Sequence, residues 1–232
     1  MKILSVETAT STCSVAILED NQIIYEESKN NGFTHSQNLL PMIKEAFDQT
    51  HLTLSQIDLF TASVGPGSFT GIRIGIASLK AFVDVFKKPS IGISSLEGLC
   101  YTLESSGLTC SILDAKNENV YFALYDGNQV IISPCFSSVT DMIKMLESYQ
   151  EKEITFIGDA CFLYKKELTH LFPHAKFAKK NTPKASSIGK AAFYHFQNGE
   201  SQNYSLSPLY LRKSQAERAL EKKEEGKKND NH

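Results

Sequence analysis

The stretch Gly65-Pro66-Gly67-Ser68-Phe69-Thr70-Gly71 constrains this chain more than any other. It joins an apolar run, Ile57 to Val64, to a segment of helical apolar spacing that reaches about Phe86. A buried strand that passes through glycines into a helix is the start of a strand-helix unit, and such units build parallel sheets covered by helices. Glycines at the junction permit positive-φ turns and close backbone approach. The helix N-terminus behind them attracts anions, so a phosphate loop is the first functional expectation. The spacing argues against it. Gly65, Gly67 and Gly71 read G-x-G-x-x-x-G, one residue off the dinucleotide fingerprint, and no Lys-Ser/Thr pair follows a glycine as a Walker loop requires. Gly71, Gly75 and Ser78 instead set small residues on one helical face, so packing or an interface is the preferred role.

The rest of the N-terminal half fits around this unit. Ile3 to Val6, Cys13 to Glu19 and Gln22 to Ser28 read as an antiparallel meander, with Asp20-Asn21 as a tight turn. Thr34 and Gln37 form a capping-box pattern that opens a helix, and Pro41 predicts a kink in it. Ser90 to Ile93 is a further strand. Ser94 with Glu97 reads as a second capping box, opening a helix to about Leu103. The order is βββαβαβα, and Glu104 to Gly107 is the expected boundary between halves. Strands at Cys110 to Asp114, Asn119 to Tyr125, Gln129 to Ile132 and Ile154 to Ile157 then repeat the style, with helices at about Thr140 to Tyr149 and Ser186 to Gln197. A three-strand meander followed by alternating units is the ribonuclease-H-like arrangement. The expected organisation is an N-terminal half over 1–104, a reduced C-terminal half over 105–211, and a charged tail over 212–232 that is low in apolar residues and expected to be disordered.

Composition excludes several classes. Charged residues are 22% of the 232 and the formal net charge is −2, so no global basic field holds a nucleic acid. Five cysteines lack C-x-x-C spacing and read as free, mostly buried thiols. No apolar run approaches the roughly 20 residues of a membrane span, and the cytoplasm is the expected location. His170 and His174 have H-x-x-x-H spacing, but Pro173 is incompatible with a helix interior there, so a loop or helix end is the better reading. Ser68 lacks the G-x-S-x-G elbow of a nucleophile.

Four segments in order carry a resemblance: Glu7-Thr8-Ala9-Thr10, His35-Ser36-Gln37-Asn38-Leu39-Leu40-Pro41, Ser63 through the glycine junction to Gly75, and Ser94-Ser95-Leu96. With Pro208-Leu209-Tyr210-Leu211-Arg212-Lys213 they resemble the TsaB (YeaZ) family of bacterial tRNA threonylcarbamoyladenosine biosynthesis proteins. The likeness is dense over residues 1 to about 100 and thin across 105 to 200. Gly158-Asp159-Ala160 is a reduced match to a family Gly-Asp-Gly-Ala turn.

The resemblance implies an actin-like ATPase fold and a non-catalytic role. Such a subunit pairs with a catalytic, metal-binding paralogue, TsaD, which modifies adenosine 37 of tRNAs, while the ATPase TsaE completes the system. The paralogue's H-x-x-x-H would fall at the His35 helix, where the second position here is Leu39. The implied partner surface lies on the helices at about 34–49 and 70–86, through His35, Leu39, Ile43, Phe69, Gly71, Ile74, Gly75 and Ser78. The chain alone could form a homodimer through the same face. Contact with tRNA is expected only through the complex, and no membrane contact is expected.

Glu7 to Ser14 also resembles the first phosphate-binding turn of actin-like ATPases, in which an acid helps to hold metal. It lacks a glycine, so Glu7, Thr8 and Thr10 make a weak nucleotide site; a solvated strand end with hydroxyls bonding the local backbone explains it equally well. No tightly bound cofactor is expected, and weak ATP or ADP with magnesium at the interface of the complex stays open. The rival functions are a metal- or ATP-dependent hydrolase of the actin-like superfamily and a nucleotide-binding sensor using Glu7 and Thr8.

Overall fold

The computed structural model describes residues 1–32, 34–103, 107–179 and 181–212. In the N-terminal half, β1 (Lys2–Glu7), β2 (Cys13–Glu19) and β3 (Gln22–Lys29) form the meander. β4 (Leu59–Gly65) and β5 (Ser90–Ser94) extend it in parallel, giving the order β3-β2-β1-β4-β5. β1 and β4 are buried almost throughout because helices cover both faces, whereas edge strand β3 is largely polar and accessible. α1 (His35–Thr50) opens as expected, with Gln37 Oε1 accepting from the Thr34 amide at 3.0 Å. It continues through Pro41, which stands on the exposed side of the helix, where water can satisfy the carbonyl left without a donor. α2 (Phe69–Phe86) is capped by Ser68, whose hydroxyl accepts from the Gly71 amide at 3.2 Å.

The C-terminal half repeats this plan. β6 (Leu108–Lys116), β7 (Asn119–Asp126) and β8 (Gln129–Ser138) form a second meander, followed by α4 (Val139–Leu146), β9 (Ile154–Ile157), α5 (Ala160–Leu163), α6 (Lys165–Leu171), β10 (Lys176–Phe177) and α7 (Ala185–Gln197). Read from the meander, its order is β8-β7-β6-β9-β10, the same as the first sheet. The second set is reduced, since β9 has four residues and β10 two. β8 runs six residues beyond the expected Ile132, because its ladder with β7 continues past a register shift to Ser138.

Two expectations need correction here. The boundary near 104 separates the sheets but not the cores, because each half sends its last helix to the other's sheet. α3 (Ser95–Cys100) places Leu96 and Leu99 against Leu113, Ala123 and Ile157. α7 places Ile188, Ala191 and Ala192 against Ile3, Leu18 and Ile91. Complete burial of a Leu or Ile side chain contributes about 2 kcal/mol, so this exchange ties the halves together. The second capping box does not form either. Ser94 Oγ accepts from Leu96 N at 3.2 Å, while the Glu97 side chain turns away to His195 on α7 at 2.5 Å. Residues 104–106 and the tail from 213 lie outside the described residues. Before that tail the chain straps both halves: Leu209 N donates to Val64 O at 2.8 Å, and an Arg212 guanidinium nitrogen donates to Ala115 O at 2.8 Å.

Candidate functional site

The glycine junction, the β1–β2 turn and the start of α1 converge on one spot. Thr8 Oγ1 donates to Gly71 O at 2.8 Å, and Ser68 N donates to Ala9 O at 2.7 Å. His35 Nε2 lies 2.8 Å from Thr10 O; a carbonyl can only accept, so this nitrogen carries the proton. The glycines exist for this contact. A Cβ on Gly71 would strike Thr8 O and the His35 ring, one on Gly75 would strike Thr8 Oγ1, and one on Gly67 would strike Ala9 O. The small face of α2 therefore packs inside the chain, against the β1–β2 turn.

Four of the eight residues of the expected partner surface therefore lie inside the fold. Leu39 and Ile43 are 1% and 3% exposed and belong to the N-terminal core, and Gly71 and Gly75 are buried under Thr8. Ile74 packs half-buried against the same core, and Ser78 is half-buried. Phe69 stacks on Tyr210 of the C-terminal strap, centroids 4.6 Å apart. The apolar side chains that α1 and α2 do show to solvent lie elsewhere on these helices. Leu40 is 54% exposed and Val85 is 72% exposed. Leu40 shares a shallow groove with Phe47, Leu52, Leu54 and Phe82.

The weak nucleotide site is also altered. Glu7 and Thr8 are wholly buried rather than a solvated strand end. Glu7 Oε1 accepts from the amides of Ala9 at 2.7 Å and Thr10 at 3.1 Å, so the groups a phosphate or metal would use already serve the turn. Its other oxygen has no hydrogen-bond partner among the described residues. Burial pushes the carboxyl up to about 7, against the pull of the nearby Ser63 hydroxyl and then of the two amides.

A cleft of about 520 Å3 opens between the halves beside this spot, with Thr10, Ser68 and Thr70 on one wall and Asp114, Lys116, Asp159 and Arg212 on the other. Its charged side chains are held by local partners, Arg212 by the Ala115 carbonyl. Lys116 pairs with Asp114 at 2.5 Å, and Asp159 accepts from the Asp114 amide at 2.9 Å. Sequence reasoning missed Asp114, Lys116 and Arg212, because nothing in their local spacing announces a cleft. His170 lies in the last turn of α6 and His174 lies past its last residue Leu171, as Pro173 dictates, so the two imidazoles do not share a helix face. All five cysteines are free, with Cys13, Cys110 and Cys161 buried. No helix among the described residues is long and apolar enough to cross a membrane.

The family model described as "TsaD: tRNA N6-adenosine threonylcarbamoyltransferase" matches residues 29–220. The tRNA threonylcarbamoyladenosine biosynthesis protein TsaB of Buchnera aphidicola is 30% identical over 190 residues, covering 77% of this chain and 88% of that protein. The chain belongs to the TsaB (YeaZ) family. The Bacillus subtilis TsaB is 25% identical over 225 residues, covering 94% of this chain and 96% of that protein. In structure, YeaZ from Pseudomonas aeruginosa superposes with a TM-score of 0.71 at 22% identity, over 90% of this chain and all of that one. This TsaB-family chain thus has the actin-like, ribonuclease-H-like fold expected from its sequence, with its two halves built on one strand order.

Proposed function

We propose that this chain is a non-catalytic subunit of the machinery that makes N6-threonylcarbamoyladenosine in tRNA, and that it binds and supports a TsaD-type catalytic paralogue alongside the ATPase TsaE. The relatives named TsaB support the pathway. The observation that carries the partner role is the apolar surface left on the α1–α2 pair, with Leu40 and Val85 as its most exposed members. An apolar patch on a helix pair suits burial against helices of a second protein. The internal commitment of Glu7, Thr8 and His35 supports a supporting rather than a chemical role. The partner surface is then the groove of Leu40, Phe47 and Phe82, with Val85 exposed near the end of α2, not the face of Leu39 and Gly75.

The test is co-purification with the TsaD paralogue of the same organism. Wild type should be retained, and Leu40→Glu with Val85→Glu should lose it while staying folded by circular dichroism. Retention of the folded double variant would remove the surface assignment. Failure of wild type to bind, or metal-dependent hydrolysis by the purified chain alone, would remove the subunit reading.

A further inference from the structure

A cavity of about 710 Å3 lies between the β2–β3 turn, the end of α3, the loop before α7 and the outer side of α7. Its lining shares no residue with the cleft between the halves. The volume falls in the range of small-molecule sites, roughly 300–1,000 Å3. Its charge is unlike that of the chain. Among the described residues, Lys179, Lys184 and Lys190 line it against a single carboxylate, Glu26, although the whole chain carries a formal −2. Glu26 is already engaged: one oxygen pairs with Lys184 Nζ at 3.3 Å and the other accepts from Ser186 N at 3.0 Å. Lys179 and Lys190 enter no ion pair among the described residues. Three aromatic residues, Tyr101, Phe193 and Tyr194, form another part of the wall, with the two tyrosine rings 6.4 Å apart.

Unneutralised ammonium groups at one concave site repel each other, and an anion entering there relieves that repulsion. Aromatic residues beside them accept a flat heterocycle by stacking and edge contact. We propose that this cavity binds a phosphate ester bearing an aromatic base, its phosphate held by the three lysines and its base against Tyr101, Phe193 and Tyr194. The inference is independent of the partner role and lies away from the glycine junction. A free nucleotide and a single-stranded RNA segment share this chemistry.

The test is calorimetric titration of the full chain with AMP, inorganic phosphate and a short oligoadenylate RNA. AMP should bind saturably and about tenfold more tightly than inorganic phosphate. Lys179→Glu and Lys190→Glu should each weaken AMP by about tenfold or more, without lowering the melting temperature, since neither lysine is in an ion pair. In wild type, AMP should protect Lys179, Lys184 and Lys190 from acylation read by mass spectrometry. This second measurement does not depend on a variant folding. Tighter binding of the RNA than of AMP assigns the site to an RNA strand, and equal or weaker binding assigns it to a free nucleotide. Binding of none of the three, AMP no tighter than inorganic phosphate, or variants that bind as wild type overturns the proposal.

Discussion

Glu97 of α3 and His195 of α7 meet at 2.5 Å where the two exchanged helices cross, and both side chains are buried. The other imidazole nitrogen lies 2.6 Å from Glu200. Carboxylates on both sides mean that both nitrogens donate, so the ring is an imidazolium. Burial alone would lower its pKa, but the hydrogen bonds and charges of Glu97 and then Glu200 outweigh burial and leave it raised. Stabilisation is then fully present below the ordinary value of 6.5 and fades as pH rises through the raised value. His195→Ala, which strands Glu97 as a buried charge, should cost about 3 kcal/mol at acidic pH and less in alkaline buffer. Urea denaturation of both proteins across pH measures this; a cost that does not change with pH contradicts the imidazolium.

Glu7 works in the opposite sense. Its carboxyl rises from 4.5 to about 7 on folding, so between these values the folded state holds the proton and the unfolded state does not. Stability therefore falls as pH climbs through that window, by about 3 kcal/mol in all. Glu7→Gln should be more stable than wild type above pH 7 and lose that advantage below 4.5. Denaturation midpoints at either end of the window test it, and equal pH profiles for the two proteins would be the contrary result.

Gly75 touches the Thr8 hydroxyl so closely that a methyl group cannot enter unless Thr8 turns out of its hydrogen bond to Gly71 O or the β1–β2 turn shifts. Gly75→Ala should destabilise by about 1–3 kcal/mol, the usual cost of overpacking, despite the better helix propensity of alanine. A melting temperature at or above that of wild type would show that the turn can give way.

Neighbouring leucines on α1 separate core from surface. Leu39 is 1% exposed and Leu40 is 54% exposed. Leu39→Ala should cost about 2–5 kcal/mol, and Leu40→Ala should stay within about 0.5 kcal/mol. Chemical denaturation of the two variants side by side checks the helix orientation before any partner is involved.

The sequence by itself determined the order of elements in the N-terminal half, while α5, α6 and β10 of the reduced C-terminal half carry no comparable local signal. Period-2 runs at Cys13 to Glu19, the turn at Asp20-Asn21, the box at Thr34 and Gln37, and the glycine junction are local signals, each decided within a few residues. Together with the four family segments they also pointed to the actin-like fold. What faces what was decided only in three dimensions. Spacing placed Gly71 and Gly75 on one small helical face, but whether that face meets another protein or the chain's own β1–β2 turn depends on a contact more than sixty residues away in sequence, Thr8 to Gly71. The exchange of α3 and α7, the Glu97–His195 pair that the apparent capping box concealed, and the cavity that Tyr101 shares with three lysines have the same origin. A side chain's partners across a sheet or between helices follow from the packing of whole elements, and no local spacing encodes them.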